Sequence, residues 1–359
     1  MFAKNTLASA VAAAIGVSAV GVAQADTVFF PYAALSNTVT TVVSVINTTN
    51  HNWNHNGAVA ATHLHYRFYY KTQDDLLSSC QEYNEYLPTS RNDIQTIDLG
   101  GTFASETAGV LFNDPSINND WDSSDRSYAM GRSVMPARGY LTVDNSDTDT
   151  EMTLAGEAFV FEFGSGAAWG YQAKSSNDND FRNAASESPS NVALMPFSEV
   201  ITTFFVTPVS IDQHPDFANN YRARVEFVTT ERGDLYDRDE NLISGSVPKD
   251  VVCLGRVDAS SLLSDGTAAR LVDGGWGKLH SYRLKDVDGK WMPAEFNVSV
   301  TSGGSDSSNL VAVANRTQAS DGAIVIKLEY NAGATFNGED VGGTYNNGIL
   351  FAPDANNPF

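Results

Sequence analysis

The feature that most restricts how this chain can fold is a repeated alternation of apolar and polar residues. Between residues 64 and 70 the even positions are Leu64, Tyr66, Phe68 and Tyr70, and the odd positions are mostly polar. The same two-residue period recurs over residues 221–227 and 324–330. Because successive side chains of a strand point to opposite faces, this period predicts half-buried antiparallel strands.

Further β-prone runs cover residues 38–46, 152–163, 200–206 and 296–301. Turn-forming pairs separate the runs, among them Asn56-Gly57, Gly100-Gly101, Asp265-Gly266 and Asp288-Gly289. Only residues 260–271 favour a short helix. Many short strands with regular turns predict an all-β fold, an antiparallel β-sandwich or jelly-roll-like structure of one or two packed sandwiches.

The first 25 residues resemble an export signal. Lys4 precedes a run of small and apolar residues, which ends in Ala23-Gln24-Ala25, an A-x-A cleavage site. This pattern predicts a secretory signal peptide over residues 1–25, with an N-terminal membrane anchor as the alternative. No later segment has about 18 consecutive apolar residues, so the sequence predicts no transmembrane helix. We therefore expect a secreted protein, extracellular or on the cell surface, with the periplasm included.

The length of the exported part, residues 26–359, favours two domains. The polar segment 174–190 is the best linker, which predicts one β-sandwich domain over residues 26–180 and a second over residues 190–359. One intertwined unit is the alternative. Export also allows a disulfide between Cys80 and Cys253, the only cysteines, which would tie the two halves together. Two separate buried thiols are the alternative to that bridge.

Charge and motif content exclude several classes of function. The formal net charge of -21 would repel a phosphate backbone, so we expect no nucleic-acid partner. The chain lacks a G-x-S-x-G elbow, an H-E-x-x-H motif and a P-loop. We accordingly expect a protein that is not an enzyme.

Four of the six histidines lie between residues 51 and 65, and His63 and His65 are two residues apart on a predicted strand. Their imidazoles then share a face and can supply two nitrogen ligands to copper or zinc. Gly57 to His65 resembles the opening of the first cupin motif over nine residues. The glutamate of that motif is missing, with Tyr69 and Tyr70 in its place. A polar outer strand face is the alternative.

Acidic loops are the second group of metal-ligand candidates. Calcium prefers six to eight oxygen ligands, which clustered Asp and Asn side chains in loops can provide. The residues that we single out are Asp144, Asp147, Asp149, Asp286 and Asp288. Similar loops lie at residues 177–180 and 234–241, and no loop has the EF-hand pattern. Solvated turns of an acidic protein are the alternative.

The function expected from these features is structural. An exported, β-rich chain without a catalytic motif is typical of a cell-surface protein that assembles into a filament, sheath or surface layer. Open strand edges would join the subunits, and residues 26–32 are a candidate donor strand, with an ordinary first strand as the alternative. A secreted metal- or carbohydrate-binding module is the second hypothesis. Exposed tryptophans beside Gly, Asn or Asp would contact a carbohydrate, such as a surface polysaccharide, or a neighbouring subunit, with aromatics packed in the core or in loops as the alternative. The five tryptophans are Trp53, Trp121, Trp169, Trp276 and Trp291.

Overall fold

The computed structural model describes part of the chain. The described residues are 27–47, 54–55, 58–59, 62–89, 92–103, 110–112, 134–145, 154–163, 167–176, 181, 184–186, 190–209, 222–229, 235–293, 322–331, 335–336, 339–340 and 349–351.

Antiparallel strands form almost all of the described structure, which confirms the predicted all-β sandwich class. The first twelve strands are β1 (Thr27–Leu35), β2 (Val39–Asn47), β3 (Asn54–His55), β4 (Ala58–Val59), β5 (Thr62–Lys71), β6 (Gln81–Thr89), β7 (Ile94–Asp98), β8 (Val110–Phe112), β9 (Ala137–Asn145), β10 (Leu154–Glu162), β11 (Ala167–Gln172) and β12 (Lys174–Ser176). The second twelve are β13 (Ser190–Leu194), β14 (Val200–Pro208), β15 (Arg222–Phe227), β16 (Leu235–Asp237), β17 (Lys249–Val252), β18 (Gly255–Asp258), β19 (Gly275–Val287), β20 (Lys290–Pro293), β21 (Ala323–Asn331), β22 (Thr335–Phe336), β23 (Glu339–Asp340) and β24 (Ile349–Phe351).

Four sheets contain most of these strands. Sheet I has the order β11-β10-β2-β7-β8, and sheet II has the order β12-β1-β9-β5-β6. Sheet III has the order β18-β14-β21-β24. Sheet IV has the order β13-β19-β15-β17, with β16 and β20 also paired to β19. A 3-10 helix (Ala259–Leu262) and helix α1 (Asp265–Arg270) lie where residues 260–271 predict a short helix.

Three apolar cores hold the sheets in layers. Core 1 lies between sheets I and II, and it includes Val28, Phe30 and Phe68. Core 2 joins sheet II to sheet III, with Phe29 and Tyr69 from the first half of the chain and Phe205 and Ile326 from the second. Core 3 lies between sheets III and IV. The two middle sheets are therefore covered on both faces.

Consecutive residues of the middle strands alternate between cores. Phe29 packs into core 2 while Val28 and Phe30 pack into core 1, and Phe204 packs into core 3 while Phe205 packs into core 2. All nine residues of β1 are buried, as is typical of a strand without a solvent-facing side. Because β1 is paired with β9 and β12, it is an ordinary internal strand and not a free donor segment.

The disulfide and a buried lysine connect the two halves at one edge of core 2. Cys80 and Cys253 are bonded, with a Cα–Cα distance of 5.9 Å and a sequence separation of 173 residues. The Lys71 ammonium donates hydrogen bonds to the carbonyl oxygens of Asp75 (2.9 Å) and Val252 (2.8 Å). Burial lowers the pKa of Lys71 to about 8. The predicted disulfide is thus present, and a polar clamp lies beside it.

The segment expected to be a linker is packed against the sandwiches. Lys174–Ser176 forms β12 at the edge of sheet II. Phe181 lies in core 2, and the Ser186 hydroxyl accepts a hydrogen bond from the Val325 amide (2.8 Å). Cores 1 and 3 belong to the first and second halves respectively, apart from Leu76 at the margin of core 3. The domain boundaries at residues 180 and 190 stay a prediction.

Candidate functional site

The structure brings together two residues that the sequence placed in different candidate sites. His63 and His65 lie on β5, and Asp144 lies on β9 directly opposite His65. Since His63 and His65 are two residues apart on one strand, they share a face of sheet II, as predicted. That face also carries Arg67, Tyr69 and Lys71, and it becomes buried toward core 2.

A polar cluster surrounds His65. The His65 Nδ1 atom lies 3.6 Å from Asp144 Oδ1, and its Nε2 atom lies 2.8 Å from Asn84 Oδ1. The His65 ring stacks on Tyr86, with 4.2 Å between ring centroids. Arg67 forms an ion pair with the second oxygen of Asp144. These five residues, the His65 cluster, connect strands β5, β6 and β9.

The charges of the His65 cluster bear on its chemistry. The Nε2 atom of His65 is within hydrogen-bonding distance of Asn84, whereas the 3.6 Å separation between its Nδ1 atom and Asp144 is longer than a hydrogen bond. The Arg67 guanidinium already neutralises the Asp144 carboxylate. A metal ion bound by His65 and Asp144 would therefore have to compete with a fixed positive charge.

The other predicted metal ligands are not assembled into a site within the described part of the chain. Asp147 and Asp149 lie outside the described residues. Asp286 and Asp288 are exposed in the β19–β20 hairpin, where Asp286 Oδ1 accepts a hydrogen bond from the Gly289 amide (2.8 Å). Among the described residues, no group of three His, Cys, Asp or Glu side chains is placed to hold a metal ion. The calcium, copper and zinc sites stay predictions.

A second surface lies on the outer face of sheet IV. Cross-strand pairing places Ala193 of β13, Trp276 of β19 and Tyr236 of β16 side by side, and a bridge adds Leu242. We call these four residues the aromatic row. Trp276 is 39% exposed and Leu242 is 49% exposed. The Trp276 and Tyr236 rings stack, with centroids 4.7 Å apart and an interplanar angle of 20°.

Two glycines flank Trp276 where β19 closely approaches β16. A Cβ atom on Gly275 would lie 2.1 Å from the Tyr236 carbonyl oxygen, and one on Gly277 would lie 2.8 Å from Leu235 Cδ1. Only glycine therefore allows β19 to approach β16 this closely. The Gly275-Trp276-Gly277 triplet is a sequence signal for the arrangement, whereas its partner Tyr236 carries none.

Two edge strands of the described sheets differ in how well their sequences discourage pairing with another chain. β6 at the edge of sheet II carries Glu82, Glu85 and Pro88, residues that discourage pairing with another chain. β13 at the edge of sheet IV has the sequence SNVAL, without a charge or a proline. Among the described strands, β13 pairs only with β19. Within the described part of the chain, this edge therefore carries none of the protecting features seen on β6.

The junction of the two sandwiches carries charges that the sequence did not reveal. The Tyr330 hydroxyl and the Trp169 Nε1 atom each lie 3.5 Å from Glu162 Oε1. The Arg138 guanidinium lies 5.4 Å from the centre of the Phe205 ring, and it forms an ion pair with Asp74. Glu162 and Trp169 belong to the β10–β11 hairpin, but Tyr330 and Phe205 come from distant strands, so no local pattern predicts this junction.

We expect four tyrosines to resist ionisation at alkaline pH. Burial raises the pKa of Tyr32, Tyr66, Tyr171 and Tyr330 above the usual value of about 10. Above that pH the unfolded chain ionises these phenols and the folded chain does not, so the free energy of unfolding falls as the pH rises. Ultraviolet titration of the 14 tyrosines should therefore leave at least these four un-ionised until the protein unfolds. Complete ionisation while near-ultraviolet circular dichroism remains native would contradict this burial.

The architecture defines the class of this protein as an all-β chain of stacked antiparallel sheets with one disulfide. No protein-family model, curated protein or solved structure matches the chain. Among the described residues, no helix is long and apolar enough to span a lipid bilayer.

Proposed function

We propose that this chain is an exported, non-enzymatic structural protein of the cell surface, a subunit that assembles into a filament, sheath or surface layer. The observation that carries the proposal is the edge strand β13, which has neither a charge nor a proline and pairs only with β19 among the described strands. A strand of a neighbouring copy would extend sheet IV along this edge, the mode of joining known as strand addition.

Side chains around β13 favour this role. Asn191 and Ala193 are exposed, and Val192 and Leu194 are buried, so the strand keeps a regular alternation up to the sheet edge. Met195, the next residue, is 38% exposed. An incoming strand would therefore extend sheet IV without having to bury a charge at the edge.

Two further observations support export. Residues 1–25 have the pattern of a signal peptide. The Cys80–Cys253 disulfide is stable in oxidising compartments, whereas the cytosol keeps most thiols reduced. The lack of recognised nucleophile and metalloprotease motifs in the sequence supports a role without catalysis.

Net charge affects how assembly should depend on conditions. Copies with a formal charge of -21 repel one another, and salt or calcium screens that repulsion. We therefore expect sedimentation velocity to show oligomers whose fraction rises with ionic strength. A specific calcium effect would exceed that of an equal ionic strength of sodium chloride, and it would support the predicted calcium sites.

Hydrogen exchange maps the contact that the proposal names. In the assembled protein, those amides of residues 190–194 that point away from β19 should exchange at least tenfold more slowly than in the monomer. Amides of β6, the protected edge, serve as the internal control and should not change. Assembly that protects β6 but not β13 would contradict the strand-addition contact.

The aromatic row favours a second candidate function, a secreted carbohydrate-binding module. The same hypothesis includes a metal-binding module, with His63 and His65 as the ligands. Replacing both histidines by alanine should abolish any rise in melting temperature caused by copper or zinc.

A further inference from the structure

We infer that the aromatic row on sheet IV is a binding platform for a neutral polysaccharide. Trp276 stacks on Tyr236 and is exposed, and hydrogen-bonding side chains lie at one end of the row. This site lies on the face of sheet IV, whereas the proposed assembly contact lies along the edge of β13. The inference is therefore separate from the proposed assembly contact, and it rests on the second candidate function, for which it names the site and the class of ligand.

The Trp276 indole packs against Tyr236 on one side and adjoins the small residue Ala193 on the other. Tyr236 covers one side, with the two rings nearly parallel. On the other side the cross-strand neighbour is Ala193, whose methyl group is too small to cover an indole. A sugar ring can stack its apolar C–H face on such a surface, and the Tyr236 contact restricts the indole rotamer beforehand.

Polar side chains beside Tyr236 and Leu242, at the Leu242 end of the row, are hydrogen-bonded to one another. Arg270 Nη2 donates to Asp237 Oδ2 (2.9 Å), and Asn241 Nδ2 donates to Asp237 Oδ1 (3.1 Å). The Arg270 side chain is 46% exposed, and Asn241 is exposed as well. An arginine has five donor hydrogens, so Arg270 retains donors for sugar hydroxyls, and the Asn241 amide oxygen is a suitable acceptor.

Charge selects the class of ligand. A chain with a formal charge of -21 repels anionic polymers such as polyuronates and nucleic acids at long range. The row itself has no charged member, and Asp237 is paired with Arg270 beside it. An extended row of aromatic and aliphatic groups with hydroxyl-binding neighbours fits a neutral glycan chain better than a compact small molecule.

The test is a binding assay of the full exported chain with insoluble cellulose, chitin and starch and with their soluble oligosaccharides. We expect one of these neutral glycans to retain the wild-type protein. Trp276→Ala should weaken that binding at least tenfold, as truncation of a central aromatic contact does. Leu242→Asn, an exposed substitution at the far end of the row, should weaken it severalfold.

Phe163→Ala is the matched control, because Phe163 is an exposed aromatic residue that packs against another ring, Phe103, in the first half of the chain. This variant should bind the glycan as the wild type does. Wild-type protein that binds none of the neutral glycans would overturn the proposal, as would a Trp276→Ala variant with unchanged affinity. Loss of self-association rather than glycan binding in Trp276→Ala would also overturn it, because the row would then be a subunit contact.

Discussion

Reduction of the Cys80–Cys253 disulfide is expected to lower the free energy of unfolding by roughly 5 kcal/mol, because the bond closes a loop between residues 173 apart in sequence. In the chain-entropy model, opening so long a loop restores a large conformational entropy to the unfolded state. For a chain of this size the melting temperature should fall on the order of 10 °C. Denaturant unfolding of oxidised and reduced protein measures the difference.

Three cysteine variants are the matched controls. Cys80→Ser, Cys253→Ser and the double variant should all have the stability of reduced wild type, because each removes the same covalent bond. Reductant should not change the stability of any of them. Equal midpoints for oxidised and reduced wild type would show that the bridge does not restrain the unfolded chain.

Phe205→Ala is expected to destabilise the protein by about 3–5 kcal/mol, as the loss of a buried phenylalanine usually does. Phe205 is 2% exposed, and its ring lies 4.2 Å from the Tyr32 ring across the boundary between the two sandwiches. The substitution would leave a cavity in core 2, which the surrounding sheets cannot close. Equilibrium unfolding monitored by circular dichroism measures the loss.

Ile201→Ala provides the control for Phe205→Ala on the same strand. Ile201 is 40% exposed, so its truncation should cost at most about 1 kcal/mol. If core 2 makes the sandwiches interdependent, Phe205→Ala lowers the stability of both halves in one transition. Two separate unfolding transitions, with Phe205→Ala shifting only the transition of the second half, would instead indicate independent domains.

The strand pattern of β5 shows how far the sequence could predict this fold. Its even positions, Leu64, Tyr66 and Phe68, pack into core 1 as the alternation predicts. The prediction of a solvated odd face was wrong near the end of the strand, where Arg67 and Lys71 are buried. A local alternation cannot reveal that a second sandwich covers the polar face.

Turns and helices also show how far a local sequence pattern predicts the structure. Asp288 and Gly289 both have positive φ angles in the β19–β20 hairpin, which confirms the predicted Asp-Gly turn. The turn expected at Asp265-Gly266 is instead the start of α1. Asp265 is favourable in the first turn of a helix because its charge stabilises the free amides, so one dipeptide suits both structures. The run at residues 296–301 lies outside the described residues.

The candidate sites were predictable only in part. The shared face of His63 and His65 follows from their spacing, but the contact between His65 and Asp144 depends on how β5 pairs with β9. Strand register is set by tertiary packing, so two residues 79 positions apart in the sequence give no local sign that they will meet. The stacking of Tyr236 on Trp276 depends on strand pairing in the same way.

Electron microscopy of the purified exported protein, across a series of sodium chloride and calcium concentrations, tests the proposed structural role most directly. We predict ordered filaments or sheets in which β13 of each copy lies at the contact with the next. Single, unassociated molecules under every condition, in a sample whose circular dichroism shows the native β structure, would contradict it.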